Sequence, residues 1–175
     1  MTEVERNEYV QAVAADPDIS DAVKIAMVIG AFYESSFKHI GKPYIDKLGK
    51  GQSLTVCNGI TGPQVVAGRW YWPGDCFRLE KARYIQSEAA AKRLFRFWSW
   101  YNDWQRAVFI DFIHNKGEGA LSTSTLLRKA NAGDVVGVRR ENPRWNMGTV
   151  NSVKTMLPGL QTRGDANGEI CEVKL

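Results

Sequence analysis

Residues 33–62 read YESSFKHIGKPYIDKLGKGQSLTVCNGITG, and the rest of the chain is organised around this stretch. Upstream, Ile25, Val28, Ile29 and Phe32 recur at helical spacing, which predicts an apolar face running to a helix end at Glu34. A carboxyl on packed apolar structure is partly desolvated, and burial disfavours its charged form, so Glu34 is expected to hold a proton it can deliver. Downstream the composition changes. Seven of the 16 glycines fall between Gly41 and Gly74, separated by strand-like pieces at Pro43–Asp46, Leu54–Asn58 and Arg69–Trp72. That pattern predicts a small Gly-rich sheet, with Asp46 ending one strand and Thr55 starting the next. An acid on a rigid helix facing a carboxylate on a sheet suits cleavage of a glycosidic bond. One group protonates the leaving oxygen and the other activates water or stabilises an oxocarbenium-like transition state.

The run resembles the signature of the phage lysozyme (endolysin) family, glycoside hydrolase family 24, in which a helix-terminal Glu is followed by an Asp and a Thr in a Gly-rich hairpin. The matching pieces are Tyr33-Glu34-Ser35, Lys42-Pro43-Tyr44-Ile45-Asp46 and Thr55-Val56-Cys57-Asn58-Gly59-Ile60-Thr61-Gly62. Two further blocks are similar to the family's later segments: Phe112 to Gly119 leading into Ser124–Lys129, and Arg144-Trp145 followed by Gly159–Arg163. The resemblance implies an α+β, lysozyme-like fold, with a small antiparallel β-lobe (about 41–74) and a larger helical lobe (about 1–34 and 75–175) joined by a long helix in one domain. It implies Glu34, Asp46 and Thr55 as catalytic residues and Gly59, Thr61, Asn115 and Arg144 as substrate contacts. No cofactor and no metal is implied. The partner would be peptidoglycan, cut at the β-1,4 bond between N-acetylmuramic acid and N-acetylglucosamine by a monomer.

The chain departs from the family pattern in its spacing. Eleven residues separate Glu34 from Asp46 and eight separate Asp46 from Thr55, three more in each connection than is usual. Glycines at 41, 49 and 51 predict that the extra residues loop outward around His39–Lys42 and Lys50–Ser53. The carboxyls of Glu34 and Asp46 should then share one cleft at the ~5 to 9.5 Å that glycosidases use.

A net charge of +4 and a pI near 9.0 favour an anionic polymer, a description that bacterial wall and nucleic acid both meet. Three cysteines (Cys57, Cys76, Cys171) without a CxxC pair argue against a zinc site and against a complete disulfide framework. Cys57 reads as a small buried hydrophobe, because no histidine stands at an interpretable spacing from it. Two histidines are too few for a His-based metal site, and His39 reads as a solvated loop residue. Residues 1–15 are too charged for a signal peptide, and Ile25–Tyr33 is too short to cross a bilayer. The expectation is a host-cytoplasmic protein without signal peptide, anchor or stable membrane insertion, released to act on the wall in the periplasm.

Along the rest of the chain, Val4–Ala15 reads as a helix with Tyr9, Val10 and Val13 inward, stopped at Asp16-Pro17, and Ser20 as the N-cap of the next. Asp75 to Lys116 lacks Gly and Pro and is predicted helical, with breaks near Ser87 and Asn102. Eight of 19 aromatics lie between Phe95 and Phe112, where they either build the core of the helical lobe or form a sugar-stacking platform. Ser122 or Thr123 would cap a helix over Ser124–Asn131, Asp134–Arg140 forms another, and Asn151–Met156 begins the last helical pieces. Asn115 either caps a helix or touches sugar; Arg144 and Arg163 are either surface charges or carriers of the wall peptide's carboxylates. A lytic transglycosylase or chitinase-like glycosidase is the enzymatic rival. A non-catalytic basic binder of wall polymer or nucleic acid, with no use for Glu34, is the rival from another class; the reading adopted excludes nucleic acid as a partner.

Overall fold

The computed structural model describes residues 3–46, 53–150 and 153–172. Helix α1 (Glu3–Ala15) ends where Asp16-Pro17 was expected to stop it, and Lys81 ties the corner down by bonding both Asp16 oxygens at 2.9 and 2.8 Å. Helix α2 (Asp21–Ser35) starts at Ser20, whose hydroxyl accepts from the Val23 amide at 3.2 Å. It ends because Ser36 and Phe37 turn left-handed. Its buried stripe is Val23, Ala26, Met27, Gly30 and Ala31, rotated from the Ile25–Val28–Ile29–Phe32 face expected from the sequence. Phe32 is half exposed. Small residues let neighbouring elements approach most closely, so they take the inner face: a Cβ on Gly30 would lie 1.7 Å from the Tyr84 hydroxyl. Full burial of Val23 and Met27 contributes about 1.5–3 kcal/mol each.

The β-lobe is a three-stranded antiparallel sheet of β1 (Tyr44–Ile45), β2 (Leu54–Val56) and β3 (Ile60–Thr61). Its register places Tyr44 opposite Thr55 and Thr55 opposite Thr61. The strand-like piece Arg69–Trp72 is not part of it. Instead Tyr71 is buried, donates its amide to Gly41 and its hydroxyl to the Gln64 carbonyl, and so staples the lobe. The His39–Lys42 insertion accordingly does not loop outward. The Ile40 carbonyl accepts from the Cys57 amide at 2.8 Å, and a side chain on Gly41 would meet the Tyr71 carbonyl at 2.3 Å. The Lys50–Ser53 insertion lies, apart from Ser53, outside the described residues. Cys57 and Cys76 form a disulfide across 19 residues, so two of the three cysteines are a staple after all, and Cys171 alone is a free buried thiol.

Helix α3 (Pro73–Leu94) joins the lobes: Cys76 near its start packs with Val56, Ile60 and Tyr71, and Ala90 and Ala91 near its end pack into the main core. It is unbroken at Ser87, whose buried hydroxyl donates to the Arg83 carbonyl within the helix. The break expected near Asn102 is there: after a 3-10 turn at Trp98–Trp100, Asn102 caps α4 (Asp103–Lys116). Residues Ala107 to Ile113 of α4 are all buried, the mark of a helix enclosed on every side. The aromatic run divides: Phe95, Tyr101, Phe109 and Phe112 are core, whereas Trp100 is 81% exposed.

Beyond α4 come α5 (Glu118–Ser122), α6 (Thr125–Ala130) and α7 (Val135–Glu141), the last two capped by Ser124 and Asp134 rather than beginning at them. The Asn151–Met156 segment expected to open the final helices instead supplies β5 (Val153–Met156), paired antiparallel with β4 (Met147–Val150), with Asn151 and Ser152 outside the described residues. The β-branched Thr149, Val150, Val153 and Thr155 of this hairpin favour extended backbone. Helix α8 (Pro158–Ile170) closes the fold.

Candidate active site

The end of α2 brings Glu34 to the β-lobe. Its Oε2 lies 3.7 Å from where a Cβ on Gly59 would stand, so the glycine backbone rests against the carboxyl, in a left-handed conformation (φ 76°) that suits glycine. The setting is not the apolar one expected. The Glu34 side chain is 32% exposed, and Arg163 Nη1 donates to its Oε1 at 2.5 Å. Arg163, carried by α8, is buried. Its Nε and Nη2 donate to the two oxygens of Asp111 on α4 at 3.1 and 2.7 Å, and Asn167 adds a third bond to Asp111 at 2.8 Å. Burial alone would push the guanidinium's pKa down. The facing charges of Asp111 and Glu34 outweigh it and hold Arg163 protonated throughout.

Asp46 and Thr55 come from the sheet. The Asp46 amide donates to the Ser53 carbonyl at 3.1 Å, which continues the β1–β2 pairing one residue further. The Tyr44 hydroxyl titrates above its ordinary range, first because it is partly desolvated and then because Asp46 and Glu34 both bear on it. Tyr44 thus feels the charge of both carboxylates. Thr55 is buried, and its hydroxyl donates to the Ser53 carbonyl at 3.0 Å. Lys116 joins the same surroundings from α4: its ammonium is destabilised by burial and by Arg163 and is favoured by Glu34.

The other expected contacts are spread more widely. Gly59 touches Glu34 as described, and Thr61 pairs with Thr55 on β3. Asn115 sits inside α4, whose C-terminal cap is Gly117, and lines a void of about 20 Å³ with Lys116, Arg163 and Asn167. That is room for about one water. Arg144 is exposed and paired with Glu141 at 3.0 Å. Asp111 and Asn167 were not foreseen, and Arg163 was read as a surface charge or a recognition group. The available signal was a carboxylate inside the apolar run AVFIDFI and an Arg/Asn pair four apart on one helix.

Behind the Cys57–Gly59 turn a cavity of about 530 Å³ is lined by Tyr9, Phe37, Asn58, Phe77 and Glu80 among others, and neither Glu34 nor Asp46 borders it. Cys57, Cys76 and Glu80 lie within 4.8 Å of one another there, but the two sulfurs are bonded to each other and offer no thiolate.

The profile of the Phage lysozyme family matches residues 39–167, a stretch that takes in Asp46, Thr55 and Arg163 and begins five residues after Glu34. The chain is 32% identical over 130 residues to the SAR-endolysin of bacteriophage PS119, covering 74% of this chain and 72% of that one. With the SAR-endolysin of Escherichia phage Mu it shares 40% over 103 residues, 59% of this chain and 57% of the other. Among solved structures, the endolysin of Escherichia coli O157:H7 phage FAHEc1 superposes with a TM-score of 0.72 at 19% identity, over 90% of this chain and 94% of that one. The muramidase domain of SpmX from Asticaccaulis excentricus reaches 0.74 at 16%, over 85% of this chain and 95% of that one. Matched over most of its length in sequence and lysozyme-like in fold, the chain belongs to the phage lysozyme family.

Proposed function

We propose that this lysozyme hydrolyses the β-1,4 bond between N-acetylmuramic acid and N-acetylglucosamine, with Glu34 as general acid and Asp46 as its partner carboxylate. The protein is a glycoside hydrolase, an endolysin that degrades peptidoglycan. The observation that carries the assignment of residues is the Glu34 carboxyl at the end of α2, which rests against the Gly59 backbone of the same small sheet whose first strand leads into Asp46. Arg163 fixes one Glu34 oxygen, so the other, beside Gly59, is the one offered to substrate. Asp46 orients the attacking water or stabilises positive charge as the glycosidic bond breaks. Thr55 spends its proton on Ser53, which leaves its lone pairs to receive a water. Gly59, Thr61, Asn115 and Arg144 line the path of the glycan. The enzyme works as one catalytic domain and as a monomer, and reaches the periplasmic wall from the host cytoplasm. Among the described residues no helix is long and apolar enough to cross a membrane.

The test is turnover of purified peptidoglycan by the parent chain and by Glu34→Gln, with product ends analysed. The amide matches the acid in size and has no proton to give, so its rate should fall by about 10² to 10⁴ while circular dichroism stays unchanged. Reducing N-acetylmuramic acid ends identify hydrolysis; 1,6-anhydro ends would identify a transglycosylase and remove Asp46 from the mechanism.

A further inference from the structure

The Cys57–Gly59 turn, which places Gly59 against Glu34, holds a conformation that its own sequence does not favour. Cys57 is left-handed at φ 55° and Gly59 at 76°. A non-glycine residue in that region persists only where its surroundings over-determine it. Here the turn is gripped on several sides. The disulfide to Cys76 holds the Cys57 side chain, and the Ile40 carbonyl holds its amide. The next residue, Asn58, is held by side chains from the two helices beneath it. Glu80 on α3 accepts from the Asn58 amide at 3.1 Å. The second Glu80 oxygen takes the Tyr9 hydroxyl at 2.8 Å, which fixes the carboxyl's orientation. From α4, the His114 imidazole reaches toward the Asn58 backbone, whose polarity favours its proton, and lies flat against Tyr84, ring centroids 4.0 Å apart at 9°.

We propose that Glu80 and His114 are positioning residues for the hydrolysis: they clamp Asn58 from α3 and α4, and so fix the distance between the Gly59 backbone and the Glu34 carboxyl. Neither touches the bond being cut. Glu80 is 1% exposed, and the Asn58 side chain is turned inward with it, so both are out of reach of a glycan. Their effect passes through one turn. A glycine backbone that drifts from Glu34 opens the wall against which the acid meets the leaving oxygen, and small misplacements of that kind cost rate rather than affinity. The clamp also draws together the two helices and the β-lobe at the point where the lobes meet.

The proposal rests on the reading of Glu34 as the acid, and the experiment separates the two. The double variant Glu80→Leu/His114→Phe keeps bulk at both sites and the ring beside Tyr84, but can neither accept from nor donate to Asn58. Two readouts apply, kcat and KM on soluble peptidoglycan fragments, and exchange of the Asn58 and Gly59 amides by nuclear magnetic resonance. The clamp requires a fall in kcat of about tenfold or more with KM within about twofold, together with faster exchange at both amides. Glu80→Gln, which retains a carbonyl oxygen to accept the Asn58 amide, should return most of the rate when His114 is native. A folded double variant with parental kcat, or a loss confined to KM, would overturn the proposal. So would unchanged exchange at Asn58 and Gly59, whatever the rates. If the parent chain itself is inactive on peptidoglycan, the assignment of function fails, and the exchange measurement alone decides whether the clamp exists.

Discussion

Arg163 bonds Glu34 with one nitrogen while its other two bond both oxygens of Asp111, so a single guanidinium joins the surface carboxyl of α2 to a fully buried one on α4. Only arginine's planar fork satisfies both at once. The buried half is structural, and the exposed half holds the carboxyl proposed as the acid.

These two roles should separate experimentally. Asp111→Ala leaves Arg163 buried without its main partner, and breaking a buried pair in this way costs about 3–5 kcal/mol, measurable by urea unfolding. Replacing the whole cluster with apolar residues of similar size, Asp111→Leu with Arg163→Met and Asn167→Leu, should recover most of that stability. It should not recover activity, because Glu34 then has no anchor. A triple variant as active as the parent would show that Arg163 serves the fold alone.

The disulfide invites a second measurement. Closing a loop of 19 residues removes about 3 kcal/mol of unfolded-state freedom, so Cys57→Ala/Cys76→Ala should lower stability by about that amount. Cys171 should behave differently. Its thiol is buried and its pKa is pushed up to about 12 by burial, so a thiol reagent at pH 8 should label it only after unfolding. Labelling of the native protein within minutes would contradict its burial.

Several elements were legible because their signals are local. Ser20, Asn102 and the Asp16-Pro17 stop act through bonds to residues three or four away. What escaped depends on residues far apart. Arg163 and Asp111 are 52 positions apart, and nothing near either announces the other. Three cysteines without a CxxC pair argued against a complete disulfide framework, and Cys57 was read as a small buried hydrophobe, whereas its pairing with Cys76 depends on where α3 begins. On α2 the large apolar residues were taken as the inner face, but close helix contacts selected alanine and glycine. The Asn151–Met156 segment was read as helix, although Val153 and Thr155 are β-branched and pair as β5 with β4. Glu34, Asp46 and Thr55 were singled out from a helix end, a Gly-rich stretch and the resemblance to the phage lysozyme signature; the ion pair that holds Glu34 was not foreseen.

The last expectation concerns acid stability and turns on His114. Burial lowers its pKa from 6.5 to about 4, with Asp111 opposing the shift and Arg163 and Arg83 assisting it. The folded protein therefore prefers neutral imidazole, while the unfolded chain takes up a proton near pH 6.5. Stability from this group is fully present above that value, and falls as the pH drops from about 6.5 to about 4. The whole loss is at most about 3 kcal/mol, and smaller to the extent that solvent reaches the ring. Glu80 has the opposite sign. Its pKa is raised by burial, so its contribution is greatest in acid and declines as pH rises from the ordinary carboxylate range to its raised folded value. Where the two windows overlap they offset each other. His114→Phe removes the first slope and keeps the ring against Tyr84, so its unfolding free energy should vary less between pH 6.5 and 5 than the parent's. Parallel curves for the two proteins over that interval would show that His114 does not titrate on unfolding.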